Sequence, residues 1–170
     1  VRRPKPDNQF QRVNLIVLMV FGLAFGFVEA AVVYYLRALG DFHQNYVFSH
    51  YRTYLNLGFI TFVSPIQTLL VNHRVSVIEV TREAATIVML ATLAYVAART
   101  WKARCGAFLV AFGCWDLAYY LFLRIEDNWP RSLFTKDVFF LIPVTWIGPV
   151  ITPIVLSFVI IVLGAKLYTD

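Results

Sequence analysis

Long apolar runs separated by short polar and aromatic connections organise the chain. The first covers residues 15–39 and is apolar except for Glu29 and the terminal Arg37. Residues 75–98, VSVIEVTREAATIVMLATLAYVAA, form another, with Glu79, Arg82 and Glu83 in its first third. At about 1.5 Å per residue a helix of that length reaches roughly 36 Å, enough to cross a bilayer with some tilt. A further run, 105–123, holds Asp116 near its middle within GCWDLAYY. Residues 138–163 are apolar again and are punctuated by Pro143, Pro149 and Pro153. Soluble helices rarely tolerate such proline density, whereas neighbouring helices in a membrane satisfy the freed carbonyls. A crossing kinked near 147–149 is therefore predicted. The shortest run, 55–71, is interrupted by Pro65 and sits at the lower length limit for a crossing. It reads as a further span, with a re-entrant segment as the alternative.

The connections carry their own signals. Residues 40–54 contain His43, His50, Tyr46, Tyr51 and Tyr54 and read as an interfacial loop or a short surface helix. His73 lies between Asn72 and Arg74 at the end of the shortest run. Arg99, Trp101, Lys102 and Arg104 form a basic turn with an interfacial tryptophan. In 124–137, Asn128, Trp129 and Pro130 signal a turn, with Pro130 opening a short helix along the interface. The leader VRRPKPDNQFQR precedes an apolar run too long for a signal peptide's core, so that run reads as a retained span.

Composition supports a bilayer setting. Of 170 residues, 59% are hydrophobic and 15% charged, and mean hydropathy is +0.67. A soluble domain of this size has too much of its mass near the surface to hide that much apolar side chain. The expected fold is all-α: a polytopic transmembrane bundle of about five spans, the last proline-kinked. A basic tail (1–14) precedes one helical domain (15–170). The net charge of +5 sits mainly in the tail and near helix ends, which suits membrane anchoring rather than nucleic acid. The expected location is integral to a membrane, a bacterial inner membrane or another energy-coupled one. Five crossings with the tail inside place 99–104 outside, against the bias of inner loops toward Lys and Arg. A re-entrant 55–71 removes that conflict but puts Arg131 and Lys136 outside. Cys105 and Cys114, roughly 13 Å apart along one helix, are too distant for a disulfide.

Ionisable groups at hydrocarbon depth are costly, so Glu29, Glu79, Glu83 and Asp116 should face protein or water, be paired, or be protonated. Glu79 and Glu83 share a helix face, and Arg82 reaches Glu79 from three positions on. Tyr119 and Tyr120 follow Asp116 at three and four positions, which puts a phenol within reach of its carboxylate. Three readings stay open for this intramembrane polar cluster: a structural ion-pair network, a proton or substrate path, and a carboxylate metal site. E-x-x-x-E differs from the E-x-x-H spacing of di-iron bundles, and His43, His50 and His73 lie in loops or at helix ends, as interfacial ligands at most. The sequence identifies no cofactor, Walker loop, dinucleotide fingerprint, HExxH or C-x-x-C motif. Gly22 and Gly26 form a small-xxx-small pair for close helix packing. The expected role is a structural or accessory subunit of a larger membrane complex, with the bilayer and other membrane subunits as partners. The alternative is a membrane enzyme or proton-coupled transporter working through the carboxylates.

Overall fold

A computed structural model of the chain describes residues 8–39, 52–64 and 73–169. Its elements run α1 (Asn8–Leu39), β1 (Thr53–Asn56), β2 (Thr61–Val63), α2 (His73–Ala97), α3 (Trp101–Glu126), β3 (Lys136–Phe140), β4 (Thr145–Pro149) and α4 (Ile151–Thr169). The protein is mostly helical. α1, α3 and α4 are long and apolar enough to cross a membrane, which points to a membrane location.

α3 is the central helix, packed against α1, α4 and α2. α1 presents a buried stripe at every fourth residue, Leu18, Gly22, Gly26 and Ala30, the spacing that keeps one helix face toward a neighbour. A Cβ on Gly26 would lie 2.5 Å from the Ala118 Cβ and 2.6 Å from the Trp115 carbonyl oxygen. On Gly22 it would lie 2.7 Å from the Ala111 carbonyl oxygen. The contact advances along both helices together, so α1 and α3 run parallel. α4 runs antiparallel to α3: Gly106 meets Gly164 and Tyr168, and Gly113 meets Ser157 and Ile161. Small residues let backbones touch where lipid supplies no hydrophobic push between helices. Thr100 caps α3, its side chain accepting the Ala103 N–H at 3.2 Å. Asn128, at φ 51°, takes the left-handed conformation that ends the helix.

The sheet joins two hairpins in the order β1-β2-β4-β3, all antiparallel. Gly58, at φ 84°, serves the β1–β2 turn. Phe62 faces Trp146 across the β2–β4 seam, with ring centroids 5.0 Å apart. The β3–β4 hairpin leans on the bundle. Phe140 stacks on Phe112 at 6.0 Å and sits 6.4 Å from Trp115, both near the middle of α3.

Four expectations need correction. The fold is a helix bundle with a sheet rather than all-α. The predicted span over 55–71 does not form across its described part, because 53–56 and 61–63 are strands; residues 65–71 lie outside the described residues. The predicted kinked span over 138–163 is the β3–β4 hairpin followed by α4. Its β-branched and aromatic residues favour strand. Pro143 falls between β3 and β4 and Pro149 ends β4, where neither must donate to a continuous ladder. Pro153 falls in the first turn of α4, where the missing N–H has no carbonyl to serve. Pro130 likewise opens no helix: 131–134 is a turn leading to β3.

Candidate functional site

The polar residues at helix depth divide into separate contacts, each tying two elements together. Arg82 on α2 pairs through Nη1 with Glu29 Oε1 on α1. Its Nε and Nη2 donate to Glu79 Oε2 at 3.0 and 2.7 Å. Glu29 and Glu79 are buried and the guanidinium is half-buried, so this triad joins α1 to α2 away from bulk water.

Glu83, one turn beyond Glu79, serves the sheet instead. Both its carboxylate oxygens accept the Leu141 N–H, at 3.0 and 2.9 Å. Leu141 follows β3 in the turn to β4. A turn N–H with no strand to pair it needs a partner elsewhere in the protein, and Glu83 supplies one.

Asp116 on α3 accepts the Ser157 hydroxyl of α4 at 2.8 Å. The phenol expected beside Asp116 goes elsewhere: Tyr120 donates to Asp137 Oδ2 of β3 at 2.8 Å. The ring of Tyr119 lies edge-on to that of Tyr120 at 4.9 Å. Burial pushes the Asp137 carboxyl up from its ordinary 3.8 to about 6, against the downward pull of the Tyr120 hydroxyl, the Arg37 guanidinium and the Val138 N–H. Arg37, at the end of α1, bonds Asp127 Oδ2 at 2.5 Å and lies 4.5 Å over the Trp129 ring. These contacts fasten the ends of α1 and α3 beneath β3.

Of the expected polar cluster, Glu29, Glu79 and Arg82 form a triad, Glu83 fastens the hairpin one turn on, Asp116 and Tyr120 bond Ser157 and Asp137, and Tyr119 lies against Tyr120. Gly22 and Gly26 sit in the α1–α3 contact. His43 and His50 lie outside the described residues, and His73 is the first residue of α2. Among the described residues, no three His, Cys, Asp or Glu side chains gather as a metal-ligand set. Sequence reasoning missed Ser157, Asp137, Asp127 and the Leu141 N–H as partners. Ser157 had a signal: it is the one polar side chain between Thr152 and Lys166. A backbone N–H has none. Among the described residues the indole N–H groups of Trp115 and Trp146 are buried without a hydrogen-bond partner, and both rings flank Phe140.

No protein-family model matches the chain, no curated protein matches it in sequence, and no solved structure matches its fold.

Proposed function

We propose that the chain is a structural or accessory component of a larger membrane assembly, with α2 crossing the bilayer as a fourth helix beside α1, α3 and α4. One observation carries this reading. Each carboxylate at helix depth is engaged by a group from elsewhere in the chain: Glu29 and Glu79 by Arg82, Glu83 by Leu141, Asp116 by Ser157. Groups so engaged hold elements in register. The outward face of α2 supports a lipid setting for it. Ile78, Val88 and Val96 are exposed there. The exposed Thr81 and Thr92 direct their hydroxyls back to the Val77 and Val88 carbonyls at 2.8 and 2.9 Å, so neither requires water as a partner. The apolar outer faces of α1 and α4 offer lipid or partner helices the same chemistry.

A second reading, a membrane enzyme or proton-coupled transporter, draws on the charge balance, since four carboxylates stand against the single guanidinium of Arg82 in these contacts. Extraction in the mildest detergent that releases the chain separates the two. The subunit reading expects a particle well above 19.5 kDa, whose other component falls in abundance when the chain is deleted. A monodisperse monomer, together with proton flux lost in both E83Q and D116N, would overturn it in favour of the second.

A further inference from the structure

One end of the bundle gathers cationic side chains at the level where its apolar helices stop. There the end of α2, the start of α3 and the end of α4 meet. The Tyr168 hydroxyl donates to the Ala97 carbonyl oxygen at 3.2 Å, and a Cβ on Gly106 would lie 2.6 Å from the Tyr168 nitrogen. Arg99, Lys102 and Lys166 are exposed at this meeting point, and Trp101 is 75% exposed beside them. The described residues of the three segments, 95–105 and 164–169, include no Asp or Glu.

The negative end of α2 is covered from within, and at the end of α4 the Thr169 hydroxyl donates to the Ala165 and Lys166 carbonyl oxygens at 3.0 and 3.3 Å. Arg104 Nε donates to the Tyr95 and Ala98 carbonyl oxygens at 3.2 and 3.0 Å, and its guanidinium lies 3.7 Å over the Tyr95 ring. Arg104 and Tyr168 thus take up the last carbonyls of α2, while the start of α3 adds the positive end of its dipole. Among the described residues of these segments, the exposed charged side chains are all cationic. An exposed tryptophan beside them has the amphipathic ring that settles at the headgroup level.

We propose that this end, built on Arg99, Trp101, Lys102 and Lys166, binds the headgroups of anionic phospholipids. The proposal rests on the reading that the helices cross a bilayer. Charge complementarity and the depth of the patch select lipid over a soluble anion, because the ends of spanning helices place these cations among headgroups.

The test reconstitutes the full chain in nanodiscs of equimolar phosphatidylglycerol and phosphatidylcholine, and measures the lipids retained by native mass spectrometry. Phosphatidylglycerol should be enriched. R99Q/K102Q/K166Q should lower the enrichment at low salt by about fivefold per charge removed, and R99K/K102R/K166R should keep it. Equal retention of the two lipids, or enrichment unchanged in the triple Gln variant, would overturn the proposal. Displacement by soluble glycerol phosphate or by polyglutamate would also overturn it, reassigning the patch to a small anion or an acidic protein. Alkaline carbonate extraction checks the underlying reading separately: release of the chain from membranes would sink the crossing itself, whatever the lipid result.

Discussion

Replacing Asp137 with Asn should change how stability varies with pH by about 3 kcal/mol. The Asp137 carboxyl is buried and titrates near pH 6 rather than 3.8. A rise of that size, at about 1.4 kcal/mol per pH unit, corresponds to about 3 kcal/mol. The native state holds this proton more tightly than the unfolded chain does. Its contribution is therefore full below pH 4 and is lost as pH rises through 6. The side chain of D137N does not titrate, and its Oδ1 can still accept the Tyr120 hydroxyl. Its amide N–H groups carry a cost of about 1–3 kcal/mol if unmatched, the same at every pH. The difference in stability between D137N and the natural chain should thus move by about 3 kcal/mol in favour of D137N between pH 4 and pH 7.5. Unfolding in mixed micelles, followed by tryptophan fluorescence, measures it; Trp129 is buried with its ring 6.3 Å from that of Tyr120. Parallel pH profiles for the two chains would refute the reasoning. A difference of opposite sign would show that Arg37 and Tyr120 stabilise the anion by more than burial costs.

Two further substitutions probe the bundle. G26V forces a side chain to within 2.6 Å of the Trp115 carbonyl oxygen, a backbone atom that moves only with its helix. It should lower stability by at least about 1–3 kcal/mol in the same unfolding assay, and an unchanged midpoint would mean that α1 and α3 are not in backbone contact. R82L leaves Glu29 and Glu79, whose side chains are 10% and 11% exposed, without their shared cation. A loss of about 3–5 kcal/mol at neutral pH is expected, and a melting profile equal to that of the natural chain would place Arg82 outside the triad.

Where a run was long, continuous and apolar, its element could be read from the residues. α1, α2 and α3 lie close to the runs 15–39, 75–98 and 105–123, because length and a continuous apolar pattern favour helix. The pairing of Arg82 with Glu79 followed from helical spacing alone. The two failures share a cause. In 55–71 and 138–163 the hydropathy suits a crossing, yet apolarity alone does not separate helix from strand. Pro143 and Pro149 marked the turn and the end of a strand rather than a kink. Partners distant in sequence were also hidden: nothing near Tyr120 indicates that its hydroxyl serves Asp137 rather than Asp116, since the choice depends on how β3 is laid against α3. Nor does the sequence near Glu83 announce a hairpin turn waiting for its carboxylate.

The parallel contact between α1 and α3 bears on how the chain is made. On the proposed topology, in which α2 crosses back between them, α1 meets its matching surface on α3 only after α2 has been made. Until then its glycine stripe has no neighbour to fit. Glu29 likewise waits for a guanidinium 53 positions later in the chain. On that topology α1 gains its full set of partners only when α2 and α3 have both been made.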